Sequence, residues 1–114
     1  MVLVIGGMAQ GKLDFARENL GVTAWSDGIL GEENCVYGLQ AALRTLEDPQ
    51  GAALAWAEAH PDGVIICDEV GSGVVPLDPK DRAWRETVGR TCCALAKKAE
   101  AVYRVTCGMG VKIK

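Results

Sequence analysis

Gly6, Gly11 and Lys12 stand at the spacing of a G-x-x-x-x-G-K-[ST] phosphate-binding loop, directly behind the apolar run VLVI at residues 2–5. Glycines in such a loop let backbone N–H groups converge on phosphate oxygens. The helix that follows offers its positive N-terminus, and the lysine adds a point charge. The cradle would comprise Gly6, Gly7, Met8, Ala9, Gln10, Gly11 and Lys12, and position 13, where the motif has Ser or Thr, is Leu13. That hydroxyl ordinarily ligates Mg²⁺, and an isobutyl group cannot. Metal binding should therefore be weak while the cradle survives. The plainer alternative is a glycine-rich strand–helix turn with Lys12 solvated.

A second set of candidates follows the apolar run VIIC at residues 64–67, which ends on Asp68 and Glu69. Acids at a strand end can hold Mg²⁺ or orient an attacking group. They can equally be a solvated terminus. Lys12, Asp68 and Glu69 are thus the candidate catalytic residues, and the two acids are the candidate metal ligands.

The elements that must position these residues show in the hydrophobic pattern. VLVI and VIIC read as strands buried on both faces. A helix is expected from Lys12 to about Leu20, with Phe15, Ala16 and Leu20 inward and Gly21 stopping it. GVTAWS at 21–26 reads as a short strand and residues 26–33 as a loop. Val36, Leu39, Leu43 and Leu46 recur at helical spacing, so a helix is expected over about 33–47. Asp48-Pro49 and Asp78-Pro79 each look like an N-cap followed by a first-turn proline. The second of these helices would present Trp84, Val88, Thr91 or Cys92, Leu95 and Ala99 on one face. VYRVTC and VKIK read as final strands around residues 108–110. Strands alternating with helices predict an α/β architecture with a mainly parallel sheet and a candidate antiparallel edge at the C-terminus.

At 114 residues the chain is expected to be one domain, 1–114, with 49% hydrophobic and 24% charged residues, as in soluble globular proteins. The net charge of −3 lacks the basic footprint that nucleic acid requires. No apolar run nears the roughly 18 residues that would span a membrane. The opening MVLVIGG has no charged leader region, so a buried strand is the better reading than a signal peptide. Five cysteines at 35, 67, 92, 93 and 107 and a single histidine, His60, match no zinc spacing. They read as reduced thiols of a cytoplasmic protein, mostly small core hydrophobes. A redox role for Cys92-Cys93 is the lesser alternative.

DEVGSGVVP at 68–76, RAWRETVG at 82–89 and the terminal GMGVKIK occur in that order behind the glycine loop. Together they resemble the adenosylcobinamide kinase/adenosylcobinamide-phosphate guanylyltransferase family of cobalamin biosynthesis. The resemblance implies a P-loop NTPase (RecA-like) three-layer fold, ATP or GTP as ligand with Mg²⁺, a corrinoid acceptor and a small homo-oligomer. By matching, Glu69, Gly71, Gly73 and Pro76 would shape an acidic loop. Arg82 and Arg85 would fall on an arginine segment, contacting phosphate or pairing with Glu86. The chain departs from the family pattern at Leu13, at Asp68, at Cys92-Cys93 and in a shorter middle that lacks the guanylyl-accepting histidine. The expected function is purine-nucleotide binding with phosphoryl transfer to a hydroxyl; covalent guanylyl transfer is not expected. The alternative is a non-catalytic nucleotide-sensing or scaffolding protein. A module for oligomerisation alone is the third reading.

Overall fold

In a computed structural model, which describes residues 1–71 and 76–114, the chain runs β1 (Val2–Gly6), α1 (Lys12–Asn19), β2 (Ser26–Asp27), β3 (Cys35–Tyr37), α2 (Leu39–Ala42), α3 (Pro49–Ala59), β4 (Val64–Asp68), α4 (Pro79–Lys98), β5 (Ala101–Thr106) and β6 (Met109–Lys112). The six strands form one sheet in the order β2-β3-β4-β1-β5-β6. All pairings are parallel except β5–β6. The expected α/β fold with a mostly parallel sheet and an antiparallel C-terminal edge is what the chain adopts.

The layers follow from which strand face each helix covers. Phe15 and Ala16 of α1 pack with Val4, Ile66 and Val105 on one face. On the other, Ala53 and Trp56 of α3 and Val88 and Leu95 of α4 pack with Leu3, Ile65 and Val102. β1 and β4 sit in the middle, which is why their sequences are continuously apolar rather than alternating. The two Asp-Pro starts behave as read: Asp48 accepts from the Gly51 N–H and Asp78 from the Lys80 N–H. His60 closes α3, its ring stacked on Trp56.

Three expectations are corrected. The helix over 33–47 is instead strand β3 followed by the single turn α2. Cys35 and Val36 are wholly buried between β2 and β4, and a strand there satisfies their backbone in the sheet. The repeat of Val36, Leu39 and Leu43 thus came from a strand and a turn burying onto the same core. GVTAWS is not a strand. Only Ser26–Asp27 pair with β3, within the segment read as loop. Gly110 lies within β6, and the turn is Cys107-Gly108. Gly73, in the expected acidic loop, lies outside the described residues.

Candidate functional site at the carboxyl ends of the strands

The β1–α1 loop is shaped by close approaches. A Cβ on Gly6 would lie 2.5 Å from the Val105 carbonyl oxygen, so only glycine lets β1 end against β5. Gly11 takes the left-handed conformation (φ 86°) and abuts Gly108. Ala9 is left-handed too, at φ 58°, a conformation that costs a side chain energy and needs support from its surroundings. That support includes the β5–β6 turn. The Gly108 N–H donates to the Gln10 carbonyl at 2.7 Å, and the Cys107 N–H donates to Gln10 Oε1 at 2.8 Å. Gln10, read from sequence as a cradle residue, is also the clasp between loop and hairpin. No side chain caps the N-terminus of α1, leaving its first-turn N–H groups directed out of the helix.

Lys12 curls back beneath this loop. It is 4% exposed, donates to the Gly7 carbonyl at 2.6 Å and pairs with Asp68 Oδ1 at 2.7 Å. β1 and β4 are neighbours in register, Gly6 opposite Asp68, which brings lysine and acid together across 56 positions of sequence. The Asp68 N–H is held by Gln40 Oε1 at 3.0 Å, and the Glu69 N–H by the Gly6 carbonyl at 2.8 Å. Glu69 Oε2 meets Arg104 of β5 at 3.0 Å. Lys12, Asp68, Glu69 and the glycine loop therefore converge at one end of the sheet.

Other candidates sit differently. Leu13 packs its side chain against the cluster under α1. Arg82 donates to the carbonyls of Pro76 and Leu77, fastening the segment that leads into α4. Arg85 donates through Nε to the Val70 carbonyl just beyond the acids, and Glu86 is held by Arg90. Met8 is 80% exposed on the loop. Gln40 and Arg104 escaped the sequence reading. Arg104 carried a signal, as a lone charge inside the apolar run VYRVT. Gln40 carried none.

A cavity of about 290 Å³ opens beside the acids, lined by Ile5, Val70, Val88 and Cys92 together with Asp68 and Glu69. A larger one, about 600 Å³, lies at the amino ends of the strands among Met1, Pro61, Lys98 and Glu100. Open α/β sheets bind ligands at the carboxyl ends, and the loop, lysine and acids are all there. Among the described residues, no group of three or more His, Cys, Asp or Glu could hold a metal ion, and no helix is long and apolar enough to cross a membrane. A divalent ion would have to share two carboxylates already paired with Lys12 and Arg104, with no hydroxyl from position 13. That donor set fits Mg²⁺ only as a partner of bound phosphate, the way Mg²⁺ is commonly held.

The model of the family described as cobinamide kinase / cobinamide phosphate guanyltransferase matches residues 21–113. The chain is 36% identical over 88 residues to the bifunctional adenosylcobalamin biosynthesis protein CobU of Salmonella typhimurium, covering 75% of this chain and 49% of that protein. It is 43% identical over 51 residues to the protein of the same name from Escherichia coli, covering 45% and 28% respectively. The matches thus span about half the length of the first relative and less of the second.

Proposed function

The chain belongs to the cobinamide kinase / cobinamide phosphate guanyltransferase family, and on that premise we propose that its glycine loop binds the phosphates of ATP or GTP and that Lys12 assists phosphoryl transfer to a hydroxyl of a corrinoid. The observation that carries this reading is the Lys12–Asp68 pair at 2.7 Å beneath an uncapped helix N-terminus. In it, the backbone N–H groups of residues 6–12 orient the phosphates, and Lys12 shifts from the Gly7 carbonyl to the terminal phosphate, offsetting its developing charge. Asp68, released from part of its pairing, accepts the proton of the acceptor hydroxyl. Mg²⁺, when bound, would be held by Asp68 and Glu69 and would neutralise phosphate charge. Arg85 and Arg82 fix the segments around the acids rather than serving as the primary phosphate contacts. His60 stacks on Trp56 beside Gly63 at the amino end of β4, so guanylyl transfer through it is not part of this function.

A second reading, nucleotide sensing without turnover, is favoured by one observation. Both acids are already ion-paired and Leu13 offers no metal ligand. Titration calorimetry with ATP and GTP, with Mg²⁺ or chelator, tests the shared premise of binding. Incubation with cobinamide and each nucleotide, followed by mass analysis of the corrinoid, separates the two. A phosphorylated corrinoid supports catalysis, binding without product supports sensing, and no binding to either nucleotide overturns both.

A further inference from the structure

We propose that Gln40 is a positioning residue of the site: its side-chain amide holds the end of β4 so that the Asp68 carboxylate stays aimed at Lys12. β4 runs past its neighbour on one side. β3 pairs with it only as far as Ile66, whereas β1 continues to Asp68. The N–H groups of successive residues along a strand point to opposite edges. That of Glu69 goes to the Gly6 carbonyl of β1, so that of Asp68 faces the edge where β3 has ended. There Gln40 Oε1 accepts it at 3.0 Å, taking the place of the carbonyl that a longer β3 would supply. Only the oxygen of an amide can accept, so this bond also fixes which way the Gln40 amide is turned.

The amide is itself held from behind. Gly38 takes the left-handed conformation (φ 75°) and turns the chain from β3 into α2. Leu39 and Leu43, on either side of Gln40, are buried in the core with Ile65 and Cys67. The Gln40 carbonyl accepts from Trp84 Nε1 of α4 at 2.7 Å. Arg44 lies 3.8 Å over the Trp84 ring and pairs with Asp81 at 3.2 Å. Contacts thus run from the first turns of α4 through α2 to the strand end that carries Asp68. In the proposed phosphoryl transfer, on which the catalytic part of this inference rests, Gln40 acts through Asp68 alone. Its importance follows from how steeply rate depends on placement, since about 1 Å of displacement at a reacting group can cost about 100-fold.

The test compares Gln40→Met, of similar length but without the acceptor, with Gln40→Glu, whose carboxylate oxygen can still take the Asp68 N–H. Hydrogen exchange at the Asp68 amide should accelerate about tenfold in Gln40→Met and stay near the natural rate in Gln40→Glu. Urea midpoints of Gln40→Met, Lys12→Met and the double variant show whether Gln40 acts through the ion pair. The double variant should lose less than the two single losses added, since without Lys12 there is no pair left to disturb. In cobinamide phosphorylation, Gln40→Met should lower kcat about tenfold with the KM for nucleotide little changed, and Gln40→Glu should recover most of kcat. An unchanged Asp68 amide in Gln40→Met, additive midpoint losses or an undiminished kcat overturns the proposal. If the natural chain phosphorylates no corrinoid, the catalytic reading falls, and exchange and additivity still decide the role of Gln40.

Discussion

Lys12 Nζ and Asp68 Oδ1 lie 2.7 Å apart, and the two partners are unequally buried: the lysine side chain is 4% exposed and the aspartate 21%. The pair should therefore break asymmetrically. Asp68→Ala strands an ammonium away from water and should cost about 3 kcal/mol. Lys12→Met fills the same channel with an apolar stem while Asp68 still reaches solvent, so it should cost only about 1 kcal/mol. Urea denaturation of both variants measures the difference. Equal losses would mean that lysine burial does not set the energetics. If the loop binds phosphate, Lys12→Met should also weaken ATP or GTP binding by about tenfold, the loss of one charge-assisted contact.

Gln10 ties the loop to the β5–β6 turn through both its side chain and its backbone. Gln10→Ala removes only the side-chain bond and should cost about 1 kcal/mol. Hydrogen exchange at the Cys107 amide should accelerate, while exchange at the Gly108 amide, held by the Gln10 carbonyl, changes less. An unchanged Cys107 amide would show that the bond does not persist in solution.

Position 13 should control metal dependence. With Leu13, nucleotide affinity should vary little between Mg²⁺ and chelator, because backbone and Lys12 act on phosphate directly. Leu13→Ser places a hydroxyl in the first turn of α1 and, if Asp68 or Glu69 shares the ion, should make Mg²⁺ strengthen binding measurably. Calorimetry on both proteins checks it, and strong Mg²⁺ dependence in the natural chain would assign the ligand role to another residue.

Thr91 is fully buried in α4, and among the described residues its hydroxyl has no hydrogen-bond partner. An unpaired hydroxyl in an apolar setting costs free energy that a methyl of the same shape does not. Thr91→Val should therefore raise stability by about 1 kcal/mol, read as an increase in the urea midpoint. A loss would reveal a partner such as a buried water.

Burial pushes the Cys35 thiol from 9.0 up to about 11. The folded state holds this proton after the unfolded chain has released it. Its contribution to stability is thus intact below pH 9 and is lost as pH rises towards 11. The loss should amount to about 2–3 kcal/mol at roughly 1.4 kcal/mol per pH unit. Cys67, pushed upward by the influence of Cys92 and by burial, adds to the same alkaline decline. Cys35→Ala should flatten the decline between pH 9 and 11 even as it lowers stability at neutral pH.

The parts legible in the sequence were those where one local rule acted alone. VLVI and VIIC had to be central strands because nothing polar interrupts them, and the two Asp-Pro pairs started helices as capping chemistry dictates. Residues 33–47 misled because burial on one core face can imitate a helical repeat when strand and turn alternate. At the site, Lys12 and Asp68 were each visible, but the clasp by Gln10 and the pairing of Arg104 with Glu69 were not. Both depend on β5 lying beside β1, a neighbour relation that no local pattern encodes.

β1 leaves the ribosome before either of its hydrogen-bonding partners, β4 and β5, and its loop is fastened by residues 107 and 108. During synthesis the most apolar strand must wait with both backbone edges open until residue 64, and then residue 101, has emerged. Local helices can form meanwhile, but the centre of the sheet assembles late and from distant segments, a slow and aggregation-exposed route. The nascent chain should consequently be a client of holding chaperones until the β5–β6 hairpin is made.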